Sequence, residues 1–253
     1  MINPEKKPAA ENPWYVLATL DKIEQKKAKE YWNAWACQEM TKEEKADIKN
    51  EEGISILMFT PEWRLVKDEV ERLFKQRLPK TKLPRPTEKV DFSGFEFSNN
   101  ICFSGFFFPK SINFNSAAFS GDANFKDAIF SGAASFIDAT FSGYASFMNA
   151  TFSGNASFDR ATFSGIAFFR WAKFSGDASF SSATFSEEAH FMIATFSGSK
   201  TTFTATFSGM ARFEDTTFSG DANFNSAKFS RMARFEKTTF SGMARFESTT
   251  FSR

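Results

Sequence analysis

From Val90 to the end of the chain, large apolar residues recur with almost no error. Alternate steps of five and six residues from Phe92 give thirty positions up to Phe251, and twenty-nine of them are Phe. The exception is Thr202, where Phe203 sits one residue late and Phe207 restores the register. Two residues before these positions stands a second preference, Ala at twenty-one of the thirty. Larger residues (Val90, Phe95, Ile101, Phe106 and Ile112) open the array, and Thr216, Thr238 and Thr249 replace Ala near its end. On extended backbone, residues i−2 and i point the same way. Each short segment therefore turns one small and one large apolar residue inward. The intervening Ser, Thr, Asn, Asp, Lys and Arg suit water. The pattern predicts stacked short strands joined by turns, with Gly absorbing the extra residue of the longer step. An eleven-residue period also suits helical coiled coils. At 3.6 residues per turn, however, the two Phe sets would lie on different sides. Gly, Ser and Thr are also poor helix formers, so the helical reading is rejected.

Upstream the period is helical. Residues 1–12 are polar and Pro-containing, and are expected to be disordered. Residues 13–79 carry Trp14, Leu17, Leu20, Ile23, Tyr31, Trp32, Trp35 and Met40 at roughly helical spacing among many Lys and Glu. Thr41 with Glu44 forms a capping box that opens a short helix to about Asn50, and Gly53 breaks the chain. Thr60-Pro61 predicts the start of the clearest helix, with Trp63, Val66, Val70, Leu73, Phe74 and Leu78 on its apolar face. Residues 80–89, with Pro84 and Pro86, read as an extended linker to a repeat domain over 90–253.

Runs such as Ala123-Asn124-Phe125-Lys126-Asp127-Ala128-Ile129-Phe130 resemble pentapeptide-repeat proteins, which repeat A-(D/N)-(L/F)-x-x. The resemblance covers about 90–253 and lies with the Phe-rich branch of that family. The alternating five- and six-residue spacing departs from the family's pattern. The resemblance implies a mainly β fold, a right-handed quadrilateral β-helix, with inward pairs such as Ala123 with Phe125 and Ala128 with Phe130. Asn12 to Leu20 and Trp32-Asn33-Ala34-Trp35 resemble the N-terminal region of uncharacterised bacterial members. Four faces make a 22-residue coil, so the array holds roughly seven coils over about 35 Å. The larger residues of the first coil suit a plug on which the helical region docks. The sequence stops in register at Phe251-Ser252-Arg253, which reads as an open strand edge.

Composition narrows the chemistry. Of 36 Phe, 34 lie between residues 92 and 251. The whole chain has a net charge of +1, with no basic excess of the kind that nucleic-acid binding requires. Residues 91–253 hold 13 Lys and Arg against 14 Asp and Glu. Cys37 and Cys102 make neither a metal pattern nor a disulfide framework, which fits a reducing, cytoplasmic compartment. The longest wholly aliphatic and aromatic run, Ile56 to Phe59, is far too short for a membrane span, and no secretory leader is visible. His190 is the one His, with Glu187 and Glu188 near it. It reads as a surface residue, and no base pairs with an oriented nucleophile. The expectation is a non-enzymatic protein with no cofactor and no metal.

Sorting the outward residues by coil gives a candidate partner-binding patch. The face carrying Phe147, Phe169 and Phe191 exposes Tyr144, Met148, Ile166, Phe168, Trp171, Met192 and Ile193 over three successive coils. Phe168 and Trp171 equally suit folding over a corner or meeting the N-terminal domain. Arg212/Glu214 and Arg234/Glu236 follow on the same face, and Arg245/Glu247 on the opposite one, as solvated pairs. These features predict a structural or protein-binding scaffold, with a protein partner or self-association through the apolar face or the open C-terminal end. The family resemblance raises a second possibility, protection of a type II topoisomerase by DNA mimicry; the near-neutral repeat charge argues against it. A third is ice or lattice binding through ladders such as Thr140, Thr162, Thr184 and Thr206, interrupted by Lys173 and Lys228.

Overall fold

Each eleven-residue unit folds into two strands of two or three residues, such as Ala134–Ser135 and Thr140–Phe141. In the computed structural model, which describes residues 7–8, 12–20, 25–38, 40–41, 43, 45 and 60–252, thirty such strands run from β2 (Val90–Asp91) to β31 (Thr250–Phe251). Each pairs in parallel with the strand one 22-residue turn later: Ala134 with Ala156, Thr140 with Thr162, Ala145 with Ala167, and Thr151 with Lys173. The result is a four-sided parallel β-solenoid of about seven turns. We number its faces in chain order, the first to fourth holding Phe136, Phe141, Phe147 and Phe152.

The core is a column of rings. Phe158 is fully buried and lies nearly parallel to Phe136 and Phe180, at centroid distances of 4.8 and 4.9 Å. It meets Phe147 and Phe169 edge to face at 5.3 Å each. Both geometries favour aromatic pairs. Ala at i−2 fills the remaining inward space. Where Thr replaces it, the hydroxyl finds a partner: the buried Thr216 donates to the Phe191 carbonyl at 2.8 Å.

Two kinds of corner hold the turns together. After every first- and third-face Phe except Phe203, the amide three residues on bonds back to the Phe carbonyl, as Ala139 does to Phe136 at 3.1 Å. The residue between them is left-handed, beginning with Gly94 and Gly105 and continuing as Ser116, Asp127, Asp138 and Asn149. The longer steps carry Ser-Gly; a Cβ on Gly154 would stand 2.7 Å from the Gly132 carbonyl carbon, so the turns approach too closely there for a side chain. The Thr202 irregularity is absorbed locally. The extra residue enters the corner before Phe203, the next turn is one residue short, and Phe203 still stacks on Phe180 at 4.6 Å.

The first turn has no preceding solenoid turn to pair with, and the N-terminal region supplies partners on three of its faces. On the second face, β1 (Lys7–Pro8) pairs with Phe95–Glu96. On the fourth face, strand amides point back, as Ser131 does to the Phe108 carbonyl. There the Asn33 side chain accepts from the Phe107 amide at 2.9 Å and donates to the Gly105 carbonyl at 2.9 Å. Pro109, which takes the place of Ser131 in the first turn, has no amide to satisfy. On the first face, Asn12 donates to the Asp91 carbonyl at 2.7 Å.

Three helices among the described residues pack over this end: α1 (Pro13–Ala18), α2 (Gln25–Ala36) and α3 (Trp63–Arg77). Asn12 caps α1 by accepting from the Trp14 and Tyr15 amides, and Pro13 occupies the first helical position. Trp32 lies against Phe106 and Phe108 at 5.6 and 5.5 Å, and its indole donates to the Phe107 carbonyl at 2.8 Å. Helix α3 begins at Trp63, two residues later than the Thr60-Pro61 signal predicts; the chain stays extended through Glu62, whose carboxylate binds Arg64 instead of capping. Within 1–12, read from composition as disordered, Lys7–Pro8 and Asn12 are held against the first turn. The other residues of that segment lie outside the described ones. So do Ile23, the capping partner Glu44, residues 46–50, Gly53 and the run Ile56 to Phe59, while Glu43 and Lys45 are helical and the Lys45 amide bonds to the Thr41 carbonyl at 3.1 Å.

Removing the Asn33 amide leaves the buried Phe107 N–H unpaired, which costs about 1–3 kcal/mol. Asn33→Ala is therefore expected to loosen the helical cap. Cys37, buried in that cap with its thiol pushed up to about 12 by desolvation, reports the opening. Its alkylation under native conditions should accelerate in the variant, and an unchanged rate would contradict this role for Asn33.

Candidate protein-binding face

The outward positions of the third face form four columns running along the solenoid. The strand centres stack in register as Asn124, Ser146, Phe168, His190, Arg212 and Arg234. The corner before each strand carries Asp122, Tyr144, Ile166, Glu188, Met210 and Met232. After each buried Phe come Lys126, Met148, Arg170, Met192, Glu214 and Glu236, and then the left-handed residues Asp127, Asn149, Trp171, Ile193, Asp215 and Lys237. Period 22 thus brings together all seven residues of the predicted patch.

Their surroundings differ in detail. Tyr144 is 54% exposed and meets Phe168 edge to face at 6.4 Å. Phe168 lies 5.2 Å from the His190 ring, which is bonded to Glu188 at 2.8 Å. The His190 side chain is only 13% exposed. The Arg170 guanidinium covers Trp171 at 3.8 Å from the ring centroid, and its buried Nε has no hydrogen-bond partner. Met148, Ile166 and Met192 are half-buried. Sequence reading passed over Arg170; its signal was a cation immediately before Trp171. Met210 and Met232 continue the column of Tyr144 and Ile166 toward the C-terminal end beyond the charged Glu188.

Two members stand in backbone conformations their side chains resist. Trp171 and Ile193 occupy consecutive left-handed turns, each with φ near 59°. Elsewhere in that column the positions are held by Asp, Asn and Lys, after Gly105. A β-branched residue at positive φ is a marked outlier, costing about 1–3 kcal/mol. Backbone strain and large apolar side chains, Trp171 half-buried and Ile193 exposed, therefore coincide on the same two turns.

The other faces are different. The first is a shallow polar groove of about 600 Å³ lined by Ser135, Asn155, Ser157, Asp159, Asp177 and Ser179. The Lys200 amide and the Ser199 hydroxyl hold the Asp177 carboxyl below the usual carboxylate range. The second presents Thr140, Thr162, Thr184 and Thr206 in an unbroken ladder, followed by Lys228. The charged pairs also depart from the sequence reading. Arg212 binds Glu214 at 2.9 Å, but Arg234 reaches back to Glu214 at 3.8 Å rather than to Glu236. Arg245 binds Asp221, diagonally across the adjacent rung, at 3.1 Å rather than Glu247. Among the described residues, no group of three His, Cys, Asp or Glu side chains is placed to hold a metal ion. No helix among them is long and apolar enough to cross a membrane.

Residues 114–162, 158–206 and 203–250 match the family model described as Pentapeptide repeats (9 copies). No curated protein and no solved structure matches the chain.

Replacing Ile193 by Asn removes the β-branch from a left-handed turn, where Asn149 already stands two column positions earlier. The expected gain is about 1 kcal/mol, read as a rise in Tm of a few degrees. A fall in Tm would show that Ile193 contributes packing that outweighs its strain.

Proposed function

The chain belongs to the pentapeptide-repeat family, and from that premise we propose that it is a non-enzymatic scaffold that binds protein through its third face. The observation that carries this reading is the convergence of Tyr144, Met148, Ile166, Phe168, Trp171, Met192 and Ile193 on one flat side of a rigid stack. Repeat solenoids work as extended binding surfaces. An aromatic and Met-rich centre with charged margins has the composition of a contact surface. Strain retained at Trp171 and Ile193 further supports selection for something other than stability.

Lattice binding by the second face is a second reading, supported by the register of Thr140, Thr162, Thr184 and Thr206. Lys228 ends that ladder after four rungs. DNA mimicry requires a dense negative surface, whereas residues 91–253 carry 13 basic and 14 acidic side chains.

The test is a pull-down from source-cell lysate with wild type, Phe168→Glu and the first-face control Ser157→Glu, all checked for folding. Wild type and Ser157→Glu should capture a common protein that Phe168→Glu loses. Equal capture by all three would remove the third face as the binding surface.

A further inference from the structure

We propose that the third face pairs with the third face of a second copy of this chain, with the two solenoids antiparallel. This deepens the reading above and rests on it, naming the occupant of the same surface. Six rungs are involved, from the one carrying Asn124 to the one carrying Arg234. Place a two-fold axis in the plane of the interface, along the strands, midway between the rungs of Phe168 and His190. The first rung then meets the sixth of the other copy, the second the fifth, and the third the fourth. Each column faces itself, because rotation about the strand direction preserves position along the strand.

The pairing that results is complementary. At the centre, Phe168 meets His190 of the partner subunit and Trp171 meets the partner's Ile193. Tyr144 meets the partner's Met210. At the two ends, Lys126 meets the partner's Glu236 and Asp127 meets the partner's Lys237. Asn124 meets the partner's Arg234, and no rung sets like charges opposite one another. Lys126, Glu236 and Lys237 are exposed, and Asp127 is half-buried. By symmetry each ion pair occurs twice, once at either end of a mixed centre in which Ile166 also meets the partner's Glu188 and Arg170 the partner's Met192.

The alternative two-fold, parallel to the solenoid axis, sets each rung against itself and reverses the columns. It lays Arg212 over the partner's Glu214 and Arg234 over the partner's Glu236, but opposes Asp122 to the partner's Asp127. Only the antiparallel pose brings Lys126 to the partner's Glu236 and Asp127 to the partner's Lys237.

Size sets the strength. Six rungs at about 4.8 Å and a face about 15 Å wide bury roughly 900 Å² over the two copies. That lies below the roughly 1,200 Å² of stable complexes and fits a dimer of micromolar affinity. The strained turns at Trp171 and Ile193 fall at the centre of this contact.

Sedimentation velocity on the purified full chain, from about 1 to 300 µM, tests the arrangement. Wild type should show a reversible monomer–dimer equilibrium. Lys126→Glu and Glu236→Lys should each weaken it about tenfold, since each substitution replaces two attractions by two repulsions. The double variant should recover wild-type affinity to within about threefold. The two residues lie five rungs apart in one chain, about 24 Å, so rescue requires a second copy in the antiparallel pose. A double variant weaker than either single overturns this arrangement. So does a dimer that persists in Phe168→Glu. A monomer at every concentration overturns self-pairing, while a different protein captured through Phe168 would leave the binding-face reading intact.

Discussion

Aromatic rings in this protein stack at the repeat distance of a parallel sheet. Phe141 and Phe163 stand 4.8 Å apart with planes 1° from parallel, while their strands pair one rung apart. Parallel strands are spaced about 4.7–4.9 Å. The backbone ladder and the ring column therefore impose the same period, and neither can shift without breaking the other. Every corner obeys this constraint. Left-handed turns close the five-residue steps, and Ser-Gly corners let turns approach to within 2.7 Å of a would-be Cβ at Gly154. The Thr202 irregularity is the informative exception: the corner before Phe203 lengthens and the turn after it shortens, but the ring stays on Phe180.

Because the core and corners carry the fold, outward positions are free to carry something else. The period converts that freedom into columns. A residue type repeated every 22 positions becomes a stripe, and a cluster of changes becomes a patch. On the second face the stripe is Thr; on the first it is small and polar; on the third it is aromatic and aliphatic over the rungs of Tyr144, Phe168 and His190. A solenoid of this kind offers one rigid, pre-organised surface per side, which lowers the ordering cost of binding. The strain at Ile193 belongs to the same economy of positions, since the fold itself would be better served there by Asn or Gly.

The solenoid and its inward residues were legible because they follow from a period alone. So was the gathering of the seven apolar residues, since residues 22 apart must stack. What the sequence concealed was tertiary. Nothing local to Asn33 says that its amide replaces a missing strand beside Phe107, and Pro109 gains its meaning only from the position of Ser131 one turn later. Similarly, Arg245 and Glu247 look like a pair two residues apart, yet Arg245 binds Asp221, diagonally across the adjacent rung. The start of α3 was misplaced because Thr60 offers a capping side chain that the folded chain does not use.

The most direct measurement is site-specific photo-cross-linking. A photoreactive phenylalanine analogue is placed at Phe168 on the third face and, separately, at Ser157 on the first. Both sites are strand centres on well-packed turns, so the probes differ in the face they sample. The account predicts a protein adduct from position 168 and none from position 157. Adducts of equal yield from both positions, or an adduct from position 157 alone, would contradict the claim that the third face is the working surface of this solenoid.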